Sequence, residues 1–149
     1  MGEKWISKVE RLKIECSFYE TTAQAYDDFD GRCGYCGQDL VEDRFHYASG
    51  TIDHLIPQAD FPEGKWFQPN LILSCSICNS LKHGANPCDQ AELEKVPVME
   101  RTKYYFKLLE EKRDQLLLRA QAQIAEASEK SHADWWRVRM ILRGKRSNQ

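Results

Sequence analysis

Apolar and polar residues follow one another along this chain in three textures, and each predicts a different kind of element. Over residues 3 to 29, Trp5, Ile6, Val9, Leu12 and Ile14 recur at a spacing that puts an apolar stripe on one side of a helix. A largely helical lead-in packed on the core is expected there. From Gly31 to about Pro87 the texture shortens into the apolar runs TIDHLIP and NLILS, separated by the turn formers SG, FPEG and QPN. Those runs predict two short strands joined by a long loop. After Pro97 the chain is rich in Glu, Lys, Leu, Ala and Gln and lacks Pro and Gly, so a long helix is expected from Val98 to about Ala127. Met99, Tyr105, Leu108, Leu109 and Leu116 are its candidate core positions. A second helix is expected over Ala133 to Leu142, ending at Gly144. The pattern describes an α+β chain in a single domain, 1–149, with a helical lead-in over 1–30, a core over 31–90 and a helical extension over 91–149.

Composition narrows the class. At 149 residues, 42% hydrophobic and 30% charged, the chain suits one soluble globular domain with a modest core, and nothing in it spans a bilayer. The N-terminal MGEKWISKVERLKIE lacks the continuous apolar core of a signal peptide, so a reducing, cytoplasmic setting is expected. Six cysteines in such a compartment are expected as thiols or thiolates, and four form two C-x-x-C pairs, Cys33 with Cys36 and Cys75 with Cys78. A C-x-x-C turn aims both sulfurs at one ion. Two such turns complete a tetrahedral set of soft thiolates, which favours a structural zinc over the competing redox or iron–sulfur use. The gap between the pairs exceeds compact ribbon spacing, so a segment is inserted between the ligand arms, and that segment contains TIDHLIP. Cys16 and Cys88 have no partner at matching spacing and are expected as packed thiols.

Inside the insert, Asp53 and His54 end the first expected strand, and Pro57 closes it. Neighbours on a regular strand face opposite sides, so the two serve one site only if the strand ends or bends there. Asn70 opens the second run, and Asn79 follows the last cysteine at an expected helix N-terminus, with Lys82 three residues on. An isolated Asp-His pair is ordinarily a surface hydrogen bond; two flanking cysteine pairs change its weight.

In order, C-x-x-C, IDHLIP, NLILSC and CNSLKHG resemble the HNH endonuclease family over roughly Cys33 to Gly84. The third signature position here is Asn79, which makes an H-N-N variant similar to the zinc-knuckle subgroup of phage nucleases and restriction-like enzymes. The resemblance implies a small ββα-metal core, two short strands and a helix around one divalent cation, with a four-cysteine zinc knuckle and flanking N- and C-terminal helices. It implies His54 as the general base that activates a water to attack phosphorus. Asp53 and Asn79 would hold a catalytic Mg or Mn, Asn70 would fix the loop that orients the histidine, and Lys82 would contact phosphate. General chemistry agrees, since a neutral imidazole accepts a proton near neutral pH and a dication with few protein ligands keeps positions open for phosphate oxygens.

Charge distribution names the expected partner. The net charge is −2, and residues 31–90 hold seven acids against four Lys or Arg, so a polyanion must be drawn by another surface. From His132 onward Arg137, Arg139, Arg143, Lys145 and Arg146 face the single acid Asp134, and Trp135 and Trp136 add stacking surface beside the cations. Lys4, Lys8, Arg11 and Lys13 supplement them at the other end. DNA is the expected partner, through Lys82, Trp135, Trp136, Arg137, Arg139 and Arg143, and a protein partner or homodimer is expected through the C-terminal helices. The sequence therefore reads as a metal-dependent DNA endonuclease. The alternative is a zinc-stabilised nucleic-acid-binding or adaptor module whose Asp-His-Asn set is degenerate.

Overall fold

A computed structural model of the chain describes residues 6–144. Lys4, Trp5, Lys145 and Arg146 lie outside the described residues. Where one lead-in helix is expected there are two, α1 (Lys8–Cys16) and α2 (Glu20–Asp28). The hydroxyl of Ser7 caps α1 by accepting the Glu10 N–H at 3.1 Å, and Ser17, in the left-handed region at φ 58°, ends it. The apolar stripe of α1 is at most half covered, for none of its residues is buried and Ile6 and Ile14 are exposed. It is α2, through the buried Ala23 and Ala25, that reaches the sheet.

After α3 (Arg44–Ser49) come the two expected strands, β1 (Gly50–His54) and β2 (Leu71–Cys75). They pair antiparallel, from Gly50 opposite Cys75 to His54 opposite Leu71, so the fold is α+β with a two-stranded sheet. Every residue of β2 is buried, between α2 and α4 (Ser76–Lys82), which explains why LILSC reads as a continuous run rather than an alternating one. Each of Leu71, Ile72 and Leu73 contributes about 1.5–3 kcal/mol by leaving water. His46 sits in α3, where Asp43 caps the helix and also holds the His46 ring at 2.8 Å.

The long connection between the strands is not loose. Leu55, Ile56 and Phe61 are fully buried, and the Phe61 ring packs against Tyr105 and Phe106 with centroids 5.3 and 4.8 Å apart. Both partners belong to the last helix. Following the short α5 (Gln90–Glu94), α6 spans Arg101–Arg143 with no break where the second helix was expected to begin, since residues 128–132 contain neither Pro nor Gly to part it. Tyr105, Leu109, Leu116, Ala120 and Ile124 form its buried face, and Leu108 is half-buried. Met99, expected in the core, is 97% exposed on the turn that precedes α6.

A bend occurs instead at Lys112, with φ −136° and ψ 27°. The next residue, Arg113, turns its guanidinium inward, donating to the Pro69 carbonyl at 2.9 Å and stacking over Phe29 at 5.3 Å. Cys88 is buried as expected of a packed thiol, and burial pushes its pKa up to about 12, whereas Cys16 is exposed. Among the described residues, no helix is long and apolar enough to cross a membrane.

Candidate functional site

The four paired cysteines converge. Ligand atoms of Cys33, Cys36, Cys75 and Cys78 all lie within 4.8 Å of one another, and the sulfurs of Cys36 and Cys75 are 3.8 Å apart. Sulfurs at the corners of a tetrahedron around zinc, each about 2.3 Å from the metal, would be about 3.8 Å apart. The donor set therefore fits zinc. Its local chemistry fits too. The Cys75 sulfur is the N-cap of α4, accepting the Cys78 N–H at 3.3 Å, and the Cys33 sulfur accepts the Tyr35 N–H at 3.4 Å. Cys78, by contrast, is pushed upward by burial and by the neighbouring Cys33 and Cys75, a crowding of negative charge that a dication relieves.

The first C-x-x-C turn is tied down on three sides through the two residues it encloses. The Gly34 N–H donates to the Leu73 carbonyl at 2.7 Å, and its own carbonyl accepts from Gln121 of α6 at 2.9 Å. A side chain at Gly34 would lie 2.7 Å from Ile72 and 2.8 Å from Phe29, so only glycine lets the turn come this close. The third tie leads out of the cluster. Tyr35, 7% exposed, donates its hydroxyl to Oδ2 of Asp53 at 2.5 Å. Burial first, and the Asp53 charge second, hold the Tyr35 hydroxyl well above the ordinary tyrosine range, so it remains a donor.

Asp53 Oδ2 has a second partner. The Lys82 ammonium lies 3.2 Å away, on a side chain only 2% exposed, and it also donates to the His54 carbonyl at 2.9 Å. Lys82, which the resemblance would put against a phosphate, has its ammonium turned toward Asp53 and the His54 carbonyl in this structure. Its stem is packed inside, and its charge faces inward because a buried ammonium without a carboxylate and a carbonyl around it is strongly disfavoured. Among the described residues, Asp53 Oδ1 accepts no hydrogen bond.

His54 is the last residue of β1, and its ring points to a different set of groups. Nε2 lies 3.0 Å from the Lys65 carbonyl, and the Gln58 amide is 3.1 Å from Nε2 and 3.5 Å from Nδ1. A carbonyl can only accept, so Nε2 carries the hydrogen and a neutral ring keeps its lone pair on Nδ1. Asn70 holds this stretch in place. Fully buried, it accepts the Ile56 N–H at 2.8 Å and donates to the carbonyls of Ile56 and Gly64 at 3.1 and 3.3 Å. Its main-chain carbonyl takes the Leu55 N–H at 2.8 Å as well. Both ends of the segment carrying Gln58 and Lys65 are therefore fixed by one amide.

Asn79 lies within α4 rather than at its first residue, because the helix already starts at Ser76. It is exposed, it makes no side-chain hydrogen bond among the described residues, and it precedes Lys82 by one turn on the same helix face. The cavity of about 560 Å³ beside the site is bounded by Tyr35, Cys36, Cys75, Cys78, Phe45 and Ile124 among others, so it flanks the thiolates and not His54.

The basic residues of the chain's end stand apart. No residue of α6 beyond Ile124 is buried, and Trp135 and Trp136 are 50% and 48% exposed. Arg139 stacks over Trp135 at 5.7 Å, Arg137 faces Asp134 at 3.6 Å, and Arg143 is exposed at the helix end.

Two contributors escape a reading of the sequence. Gln58 follows His54 by four residues in irregular chain, where spacing carries no facing rule. Tyr35 left a usable signal, for a tyrosine locked between two metal-binding cysteines is buried and needs a partner for its hydroxyl. The nearest candidate acceptor in any motif was Asp53.

Residues 33–84, a little over a third of the chain, match the family model described as HNH endonuclease. That match, with the four-cysteine cluster, indicates nuclease-type function and metal binding. No curated protein and no solved structure matched the chain.

Proposed function

We propose that this chain is a metal-dependent endonuclease that hydrolyses phosphodiester bonds in DNA, with His54 as general base. The observation that carries the reading is the Nε2 contact to the Lys65 carbonyl at 3.0 Å, which leaves Nδ1 able to take a proton from water. Asn70 supports that role by fixing the segment on which Lys65 sits. Asp53, through its uncommitted Oδ1, and Asn79, through its amide oxygen, are the residues that would hold the catalytic Mg or Mn. Such a cation, when bound, supplies Lewis-acid stabilisation of the phosphate charge and of the leaving 3′-oxygen. Tyr35 and Lys82 orient the carboxylate. Zinc on Cys33, Cys36, Cys75 and Cys78 serves as the brace.

DNA is held, in this reading, by the far end of α6, where Trp135 and Trp136 offer faces for bases and Arg137, Arg139 and Arg143 offer charge to phosphates. The neighbouring exposed Val138, Ile141 and Leu142 offer a surface to a protein partner or a second copy. A cytoplasmic, thiol-reducing setting belongs to the same proposal.

A competing reading draws on one observation, that Asp53 already has a cation beside it in Lys82. It takes the site as degenerate and the chain as a zinc-stabilised nucleic-acid-binding or adaptor module. Plasmid cleavage separates the two. The zinc-loaded protein should nick or cut plasmid in Mg or Mn, and His54→Ala should reduce the rate by about 100-fold or more while zinc content and melting are retained. Undiminished cutting by His54→Ala defeats the base assignment, and no cutting by the parent chain with either metal supports the module. Withholding Mg and Mn is the cleaner control, because a strong chelator also strips the zinc that holds the fold.

A further inference from the structure

Both donors to the Asp53 carboxylate lie on the same oxygen. The Tyr35 hydroxyl and the Lys82 ammonium converge on Oδ2 at 2.5 and 3.2 Å, and Oδ1 accepts no hydrogen bond among the described residues. The Lys82 ammonium is fixed there, with its side chain 2% exposed and a further bond to the His54 carbonyl at 2.9 Å. The Asp53 carboxylate, the Lys82 ammonium and the Tyr35 hydroxyl then sum to no net charge. A zinc ion on the four thiolates behind Tyr35 would offset half of their charge.

We propose that Lys82 is a resident counter-cation that keeps the divalent site of the free protein weak, so that the catalytic cation binds tightly only together with a nucleic-acid phosphate. The proposal rests on the reading of Asp53 as a ligand of that cation. A hard dication gains most from anionic oxygens, and the Asp53 carboxylate is already shared with a fixed positive charge that also repels the dication. A phosphate brings the missing negative charge and further oxygens at the moment of substrate binding. Cation and DNA thereby promote each other's binding, and thermodynamic linkage makes the effect reciprocal.

The experiment is Mn binding to the zinc-loaded full chain, read from the signal of free Mn by electron paramagnetic resonance, with no turnover required. Lys82→Met keeps the buried stem and removes the charge. It should bind Mn at least about tenfold tighter than the parent without DNA, whereas Lys82→Arg, which keeps the charge, should not. In a His54→Ala background, where the duplex stays uncut, a short DNA duplex should tighten Mn binding by about tenfold or more, and by much less once Lys82→Met is added. A folded Lys82→Met with unchanged or weaker Mn affinity overturns the proposal. Should that variant fail to fold, the absence of any DNA effect on Mn affinity in the His54→Ala protein overturns it equally. Asp53→Asn distinguishes the two levels: if it leaves Mn binding intact with and without DNA, the ligand assignment itself fails, and if it removes binding while Lys82→Met changes nothing, only the counter-cation role fails.

Discussion

The segment from Cys33 to Gly84 and the last nineteen residues of α6 differ in how their polar groups are satisfied. In the first, Tyr35, Lys82 and Asn70 have partners inside the fold: Tyr35 on Asp53, Lys82 on Asp53 and the His54 carbonyl, Asn70 on Ile56 and Gly64. In the second, beyond Ile124, the side chains face solvent and pair mainly with neighbours on their own helix. One region holds its polar groups in a fixed geometry, and the other leaves them to solvent. Exposure at the second is what a surface for phosphates and bases requires, because contact energy is gained only on binding.

Breaking this contrast starts with the zinc cluster. Cys75→Ser removes one thiolate and the cap of α4 together, and structural zinc in small domains is worth about 10 kcal/mol or more, so the sheet and α4 should lose their cooperative melting altogether. Retention of a sharp melting transition with less than one zinc per chain would show that the hydrophobic core alone carries the segment. Next in size is Asn70→Ala. Loss of a fully buried amide with three side-chain hydrogen bonds should cost about 2–4 kcal/mol by denaturant unfolding and should slow cleavage beyond what the stability change explains. Smallest in stability is the triple change Trp136→Ala, Arg137→Ala, Arg139→Ala. It should move unfolding by less than about 0.5 kcal/mol while weakening DNA binding and flattening its salt dependence, by about one unit of slope for each phosphate that is no longer neutralised. A destabilisation of more than about 1 kcal/mol in that variant would mean that the outer helix is part of the core after all.

Much of this contrast is readable from residue order. The cysteine pairs, the strands flanking a long connection, and the helix after Pro97 each follow from short-range rules of spacing and propensity, and those rules held where local chemistry decides. They failed where tertiary contacts decide. The lead-in parts at Ser17 by adopting a left-handed conformation that no Gly or Asn announces. The outer helix continues past residue 127, since a falling apolar content does not end a helix that lacks a breaker. Lys82 reads as a phosphate contact one turn past Asn79, and only the fold reveals that the turn points its ammonium at the Asp53 carboxylate. Tyr35 is the same lesson in reverse, because its role depends on a residue 18 positions away.

The bend in α6 has a mechanical meaning. Residues 113–143 extend about 46 Å from it at the usual helical rise, so a rotation of about 10° there sweeps the tip through about 8 Å, more than the spacing of successive phosphates on a strand. The aim of this lever is set by Arg113, gripping the Pro69 carbonyl and the face of Phe29, together with Gln121 on the Gly34 carbonyl and the buried Leu116, Ala120 and Ile124. Pro69 directly precedes Asn70 in the chain, so the pivot of the outer helix and the clamp on the histidine segment are adjacent links of the same backbone.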